Sequence, residues 1–354
     1  MKPTYTAAVV GAGAGGKLSI NALAASDRFE LVAVADLRAE AREAIAAAHP
    51  GVRTFATHQE LFAACPTDVV CVSTWPPSHL AVVQDALALP LKGLVVEKPL
   101  ADNSRAGRTL LQLIRERGLP VVVPHGLLVA EHGRQVVELV HHGRIGMLKV
   151  VEIECTGWDI INAGIHWLDF VVALVWNAPA EQVLALCDTS TRTFRDGMQV
   201  ETQAVTYVQF RNGLRVVMHT GDRINIAEPG EGVLFRLVGS KGMVEFYGWK
   251  PRYKLWNAEH PEGALVEVTP GPLSNHHLYL NLLLGQLDHG YPHYGWPEYS
   301  LAALELCEAA YLSSQHQCAV TLPLDQFTPP PLSGWAPGQP YSGSGGGRDG
   351  RKLT

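Results

Sequence analysis

Over the first ~125 residues, short β-rich apolar runs alternate with amphipathic stretches whose charged residues recur on one side of a roughly 3.6-residue period. The runs at 7–10, 31–35, 69–73, 94–96 and 121–123 predict strands, and 38–48 and 104–118 predict helices between them. Such alternation is the pattern of a parallel sheet covered by helices on both faces, a doubly wound α/β domain.

After about residue 147 the texture changes. Residues 150–154, 183–187, 204–210, 214–219, 234–238 and 244–247 read as strands of an open, mostly antiparallel sheet. Arg211-Asn212-Gly213 joins two of them as a hairpin, because Asn-Gly supplies the positive φ values of a tight turn. Helical runs at 277–287 and 301–314 are expected to pack back on the body of the protein. From Thr328 the chain turns Pro- and Gly-rich and cannot form a core element. The expected division is 1–125, 126–327 and a tail, 328–354; no internal repeat is present.

At 354 residues the chain is about twice a domain prior of roughly 150, so two cores are expected. With 28 Lys and Arg against 34 Asp and Glu, the net charge of −6 gives a phosphate backbone no electrostatic support and argues against nucleic acid as a partner. No apolar run approaches the ~18 residues that span a bilayer, and the N-terminus lacks the ordered regions of a secretion signal, so a cytoplasmic protein is expected. Six cysteines, at 65, 71, 155, 187, 307 and 318, form no CxxC pair and sit mostly among apolar residues, which predicts reduced core thiols. His141-His142 and His276-His277 are adjacent pairs that point apart on a helix, so no metal centre is expected.

Candidate chemistry begins at Gly11-Ala12-Gly13-Ala14-Gly15-Gly16, which follows the first strand and opens a helix. Gly11 permits the tight turn, Gly13 lets the amides of this loop, Ala12 and Ala14 included, approach a pyrophosphate, and Gly16 allows close helix packing. Twenty residues past Gly16, Asp36 can accept hydrogen bonds from the adenosine ribose, which favours NAD. Arg38, two residues on, could instead turn to a 2′-phosphate and keeps NADP open. Ser73-Thr74-Trp75-Pro76-Pro77-Ser78-His79 reads as a cofactor-edge loop, or as a helix start capped by Ser78.

Lys98, in Val96-Glu97-Lys98-Pro99, stands at the carboxyl end of a strand, the ligand side of a parallel sheet. A desolvated ammonium there can polarise a substrate hydroxyl or relay its proton. Asn162 and His166 are four apart and share a helix face, where an amide orients a hydroxyl and an imidazole exchanges its proton; Asn162 is also placed to cap that helix.

Gly11, Gly13 and Gly16 with Asp36, Thr74 with His79, Glu97-Lys98-Pro99 and Gly164-Ile165-His166 together resemble the Gfo/Idh/MocA family, the glucose–fructose oxidoreductase and inositol dehydrogenase group. Order and spacing agree from residue 5 to about 324, through Gly239-Ser240-Lys241-Gly242 and Tyr311-Leu312-Ser313-Ser314 to Val320-Thr321-Leu322-Pro323. The resemblance implies a Rossmann domain followed by an α/β domain whose open sheet forms a homodimer or homotetramer interface. It implies NAD(P)-dependent hydride transfer at a secondary alcohol of a sugar, cyclitol or glycoside. It further implies Lys98 and His166 as catalytic residues and Glu97 beside the nicotinamide ribose.

The sequence departs from the family's pattern in three places. Asn162 stands where the family has an Asp, which leaves the proton relay to Lys98 and His166, with Asp159 as a further candidate. The link Cys155-Thr156-Gly157-Trp158-Asp159 is short, which makes Trp158 a candidate platform for a sugar ring. Pro124-His125-Gly126 also differs from the family's polar-aromatic stretch and brings His125 into consideration for the substrate side. Redox-assisted glycoside cleavage on the same fold and a catalytically silent NAD-sensing regulator are the other readings; retention of both Lys98 and His166 favours an enzyme.

Overall fold

The computed structural model describes residues 3–175, 178–190 and 193–330. The tail cations Arg348, Arg351 and Lys352, weighed as subunit contacts or solvated charges, lie outside the described residues.

The amino-terminal part runs β1 (Tyr5–Val10), α1 (Ala14–Ala24), β2 (Phe29–Ala35), α2 (Ala39–Ala48), β3 (Arg53–Phe55), α3 (His58–Ala64), β4 (Val69–Val72), α4 (His79–Ala86), β5 (Gly93–Val96), α5 (Ser104–Glu116) and β6 (Val121–Val122). All pairings are parallel, in the order β3-β2-β1-β4-β5-β6. The order reverses between β1 and β4, which opens a crevice at their carboxyl ends, where Gly11 and Ser73 follow. Alternate residues of β1 enter different cores: Ala8 and Val10 join Leu61, Val82 and Leu110, while Ala7 and Val9 join Ile20 and Leu23. The edge strand β3 escaped the sequence reading because Arg53-Thr54-Phe55 is three residues long, with Arg53 exposed.

The chain continues through α6 (Gly126–Val129), α7 (Glu131–His141), β7 (Leu148–Thr156), a π-helical turn at Ile160–Gly164, and α8 (Ile165–Val175). Then come β8 (Ala180–Asp188), β9 (Thr193–Arg195), β10 (Met198–Val200), β11 (Gln203–Phe210), β12 (Arg215–Gly221), β13 (Val233–Gly239), β14 (Met243–Tyr247), β15 (Arg252–Trp256) and β16 (Ala264–Glu267). The chain closes with α9 (Asn275–His289), α10 (Gly295–His316) and β17 (Val320–Thr321). A nine-stranded sheet, β16-β15-β14-β13-β7-β12-β11-β8-β17, is antiparallel except where β7 meets β12. Its strands alternate buried and exposed positions, as a sheet with one packed face should. Trp167 and Phe170 of α8 meet Phe235 and Phe246 on that face, the last two stacked with centroids 4.7 Å apart.

The β11–β12 hairpin turns at Gly213 (φ +89°), as Asn-Gly predicts. The small β9–β10 hairpin, a sheet of its own, went unread although it carries an equally direct signal: Asp196 and Gly197 both have positive φ, the conformation of a two-residue turn. Helix α9 does pack back: Tyr279, Leu280 and Leu283 enter the core of Ile20, Leu23 and Val9, so a segment far along the chain covers one face of the first sheet. Helix α10 begins six residues earlier than the 301–314 pattern, at Gly295. Cys71, Cys155 and Cys307 are buried, and all six thiols are unpaired. Among the described residues no helix is long and apolar enough to cross a membrane.

Candidate active site

The glycine loop has the shape of a cradle. A Cβ on Gly11 (φ +96°) would lie 2.4 Å from the Ser73 oxygen, and one on Gly16 would lie 1.9 Å from the Gly11 oxygen, so both positions exclude any side chain. A Cβ on Gly13 would meet nothing within 4 Å, so the protein itself does not demand glycine there. Gly13 caps α1 without a side-chain hydrogen bond, which leaves the first amides of the helix for an anion. This backbone surface fits a dinucleotide pyrophosphate.

Asp36, at the end of β2, accepts the Ala12 amide at 2.7 Å and is gripped by Arg38 through Nε (3.1 Å) and Nη2 (3.2 Å). Burial alone would raise the Asp36 pKa, but the hydrogen bonds from Arg38 and Ala12 hold it below the usual carboxylate range. Arg38 is thus paired with Asp36 through a contact that is open to solvent on the Arg38 side.

At the end of β5, Glu97 accepts a hydrogen bond from His276 Nε2 (2.7 Å) and lies beside Gly15, where a Cβ would stand 3.2 Å from the Glu97 Cδ. His276 comes from the start of α9, a helix the sequence reading took only as packing. The signal was the Ser274 cap, which accepts the His277 amide and fixes the first turn. Lys98, next along, donates from Nζ to the Asn162 main-chain oxygen at 2.7 Å. Burial pushes the Lys98 ammonium below the usual lysine value, against the opposing pull of Glu97, Asp196 and Asp159.

Two sequence expectations change around Asn162. The cap of the helical turn is Asp159, whose Oδ1 accepts the Asn162 amide (2.8 Å), so Asn162 does not cap it. Asp159 is only 1% exposed and faces no open cleft: Oδ1 also takes Asn162 Nδ2 (2.9 Å), and Oδ2 takes Arg195 Nη1 (3.0 Å). These bonds turn the Asn162 amide so that Oδ1, buried and without a partner, remains as a free acceptor.

His166 follows in α8, with Nδ1 buried and unpartnered. Burial, then the charge of Lys98 and the neighbouring His125 and His276, hold its pKa well below the ordinary imidazole value. His125 does not reach the substrate side. It is 2% exposed, stands edge-on to His166 with centroids 5.2 Å apart, and meets the Ser300 hydroxyl at 2.8 Å. Burial and the Lys98 charge push His125 down to about 3. Behind it lies Asp169, 3.9 Å from His125 Nε2, with both carboxyl oxygens lacking a hydrogen bond; burial raises its pKa well above the usual range. His125 and Asp169 are thus a neutral, buried backing for His166.

The loop after β4 differs from the expectation at two residues. His79 is fully buried, and its ring nitrogens meet the main-chain oxygens of Thr74 (2.9 Å) and Leu100 (3.3 Å), so it ties this loop to the one after Lys98 instead of facing a cofactor. Ser78 caps nothing; its hydroxyl donates to Thr74 Oγ1 (2.7 Å) or the Trp75 oxygen (2.8 Å). Trp158 is 51% exposed, but the Arg195 guanidinium lies 4.9 Å from its ring centre. Arg195 belongs to β9, and the next turn packs Gly197 against Trp75, where a Cβ would stand 2.9 Å from the indole. The β9–β10 hairpin therefore links Trp158, which follows β7, to Trp75, which follows β4.

Residues 5–125 match the family model GFO_IDH_MocA, described as an oxidoreductase family with an NAD-binding Rossmann fold. The rhizopine catabolism protein MocA of Rhizobium meliloti is 24% identical over 325 residues, 85% of this chain and 92% of that protein. Among solved structures, a levoglucosan dehydrogenase in complex with NADH and levoglucosan aligns with a TM-score of 0.79 at 13% identity, over 90% of this chain and 100% of that one. The WlbA dehydrogenase of Bordetella pertussis, in complex with NADH and UDP-GlcNAcA, aligns with a TM-score of 0.77 at 23% identity, over 92% and 99%. At these identities the structural likeness speaks for the fold.

Proposed function

We propose that the chain, whose residues 5–125 match the NAD-binding Rossmann fold of the Gfo/Idh/MocA oxidoreductases, is a dehydrogenase of that kind acting on a secondary alcohol of a sugar, cyclitol or glycoside in the cytoplasm. The observation that carries the reading is the convergence of Lys98 and His166 at the carboxyl end of the first sheet, joined through the Lys98–Asn162 hydrogen bond of 2.7 Å. In this reading residues 1–125 form the dinucleotide unit, 126–327 the substrate and oligomerisation unit, and 328–354 a tail.

Bound NAD supplies the acceptor for a hydride leaving the carbinol carbon. Gly11, Ala12, Gly13, Ala14 and Gly16 would hold its pyrophosphate on main-chain amides, and Asp36 would take the adenosine ribose. The Asp36 carboxylate disfavours a 2′-phosphate, which supports NAD over NADP, while its pairing with Arg38 tempers that repulsion. Thr74 borders the cofactor edge, and Glu97, fixed by His276, faces the nicotinamide ribose.

Lys98 keeps two N–H donors beyond the one spent on Asn162 and directs them at the substrate oxygen, which lowers the pKa of the hydroxyl. With Nδ1 of His166 buried, Nε2 remains to receive that proton; burial and the Lys98 charge keep the ring neutral and so unprotonated before the reaction, and make it a weaker base than an exposed imidazole. The likenesses to a levoglucosan and a nucleotide-sugar dehydrogenase support a carbohydrate-type substrate.

Leu184, Leu186 and Val205 are exposed on the open face of the nine-stranded sheet, with Val205 directly opposite Leu186, which supports a homodimer or homotetramer through that face. The experiment that tests the function is a spectrophotometric screen of polyols, sugars and glycosides with NAD at 340 nm. NADH formation with a carbohydrate, abolished in Lys98→Ala, is the expected result; none across the panel overturns the reading.

A further inference from the structure

Three exposed indoles border the cleft, and they are not equivalent. Trp158 carries the Arg195 guanidinium on its ring, and Trp75 is packed by the hairpin turn at Gly197. Trp249, in the turn after β14, is 49% exposed and lies beside His166, with ring centroids 6.1 Å apart and planes at 79°. Among the described residues no cation lies over it.

The indole is held firmly despite its exposure. It leans on the buried Trp167 with centroids 5.3 Å apart, and its six-membered edge lies against Gly126, where a Cβ would stand 3.1 and 3.2 Å from Cζ3 and Cη2. On one side of the turn, the Gly248 amide donates to the Val233 oxygen (3.0 Å) and the Gly248 oxygen accepts from His132 (3.0 Å). On the other side, Lys250 is paired with Glu228 and Glu231, both at 2.9 Å. Large apolar surface left in water costs free energy, so a half-exposed indole fixed from several sides is arranged to be covered by something other than this chain. The negative face of an indole attracts the weakly positive C–H groups of a saturated ring, whose hydroxyls then project from the ring's edge.

We propose that Trp249 is the stacking platform for the substrate ring: a neutral pyranose or cyclitol lies with its C–H face on the indole, which brings an edge hydroxyl to His166 and Lys98. This rests on the dehydrogenase reading for its chemistry, but its test does not.

The test is saturation-transfer NMR on the NADH-loaded protein with methyl glucosides, galactosides and mannosides and with myo- and scyllo-inositol as probes, alongside NAD reduction by the same compounds. At least one probe is expected to receive saturation on its C–H protons. Its dissociation constant rises roughly tenfold or more in Trp249→Leu and stays within about threefold in Trp249→Phe, with KM moving more than kcat. NADH affinity serves as the folding control. Should Trp249→Leu lose it, Trp249→His, which keeps a planar ring but removes most of the apolar stacking face, is expected to weaken probe binding in the same direction. Probe binding that is indifferent to these substitutions, or absent from the native protein, overturns the platform. Binding that depends on Trp249 but yields no NADH leaves the platform standing and overturns the dehydrogenase reading.

Discussion

The Lys98 ammonium donates to the main-chain oxygen of Asn162 across 2.7 Å, a bond between the loop that follows β5 and the π-helical turn that precedes α8. One charged group thus ties the carboxyl end of the first sheet to the segment that carries His166. In Lys98→Ala, turnover should fall on the order of 10²–10⁴-fold while NADH affinity changes by less than about threefold. Steady-state rates with fluorescence titration of NADH separate the two, and an unaltered turnover excludes the role given to Lys98.

The pH profile follows from the same pair. His166 is held well below its ordinary value of 6.5, so it is already neutral there, and kcat/KM for oxidation should show no acid limb near that pH. Lys98 loses its proton at lower pH than an ordinary lysine, so the alkaline fall should begin below 10.5. An acid limb centred near 6.5 that vanishes in His166→Gln contradicts the burial argument.

Gly13 and Gly16 separate cofactor space from protein space. Gly16→Ala puts a methyl 1.9 Å from the Gly11 oxygen and should lower thermal stability as well as NADH affinity. Gly13→Ala meets nothing in the protein, so its melting temperature should stay within about a degree or two of the native value while NADH affinity falls roughly tenfold or more. Normal NADH binding by Gly13→Ala is incompatible with a pyrophosphate on this loop.

Asp169 makes stability depend on pH. Its folded-state pKa lies well above the unfolded value of about 3.8, so the folded protein holds a proton that the unfolded chain has lost. Its contribution is present in full below that unfolded value and drains away as pH rises toward the folded one, by at most about 1.4 kcal/mol per pH unit. Asp169→Asn lacks this slope, so its stability relative to the native protein should improve between pH 5 and pH 8 in urea titrations. Parallel stabilities at both pH values count against a neutral buried acid.

Arg195 Nη1 pairs with Asp159 Oδ2 at 3.0 Å, and the Asp159 side chain is wholly buried. In Arg195→Met that carboxylate loses its counter-ion, and stability should drop by about 1–3 kcal/mol, less than for a fully buried pair because Arg195 is partly exposed. Calorimetry measures the loss, and Arg195→Lys should recover part of it. A melting temperature indifferent to both substitutions removes the hairpin from the support of Asn162.

Local signals carried much of the chemistry. The glycine loop, Asp36 and Lys98 lie at the carboxyl ends of strands, where chain direction alone puts them on the ligand side of a parallel sheet. His79 and His125 could not be read this way. Their residue types fit a binding role, and only the packing of Leu100 over one and of Ser300 and Asp169 behind the other shows them to be buried supports.

What the sequence determined by itself was the doubly wound domain, the antiparallel sheet with its Asn-Gly hairpin, and the dinucleotide loop, because each depends on periodicity or on backbone conformations a few neighbouring residues impose. What tertiary structure decided was which distant groups meet. His276 reaches Glu97 from 179 residues away, Arg195 reaches Asp159 across 36, and Trp249 stands beside His166. Such contacts arise from the way α9, the β9–β10 hairpin and the turn after β14 fold back over the cleft, and no local preference of the chain encodes them.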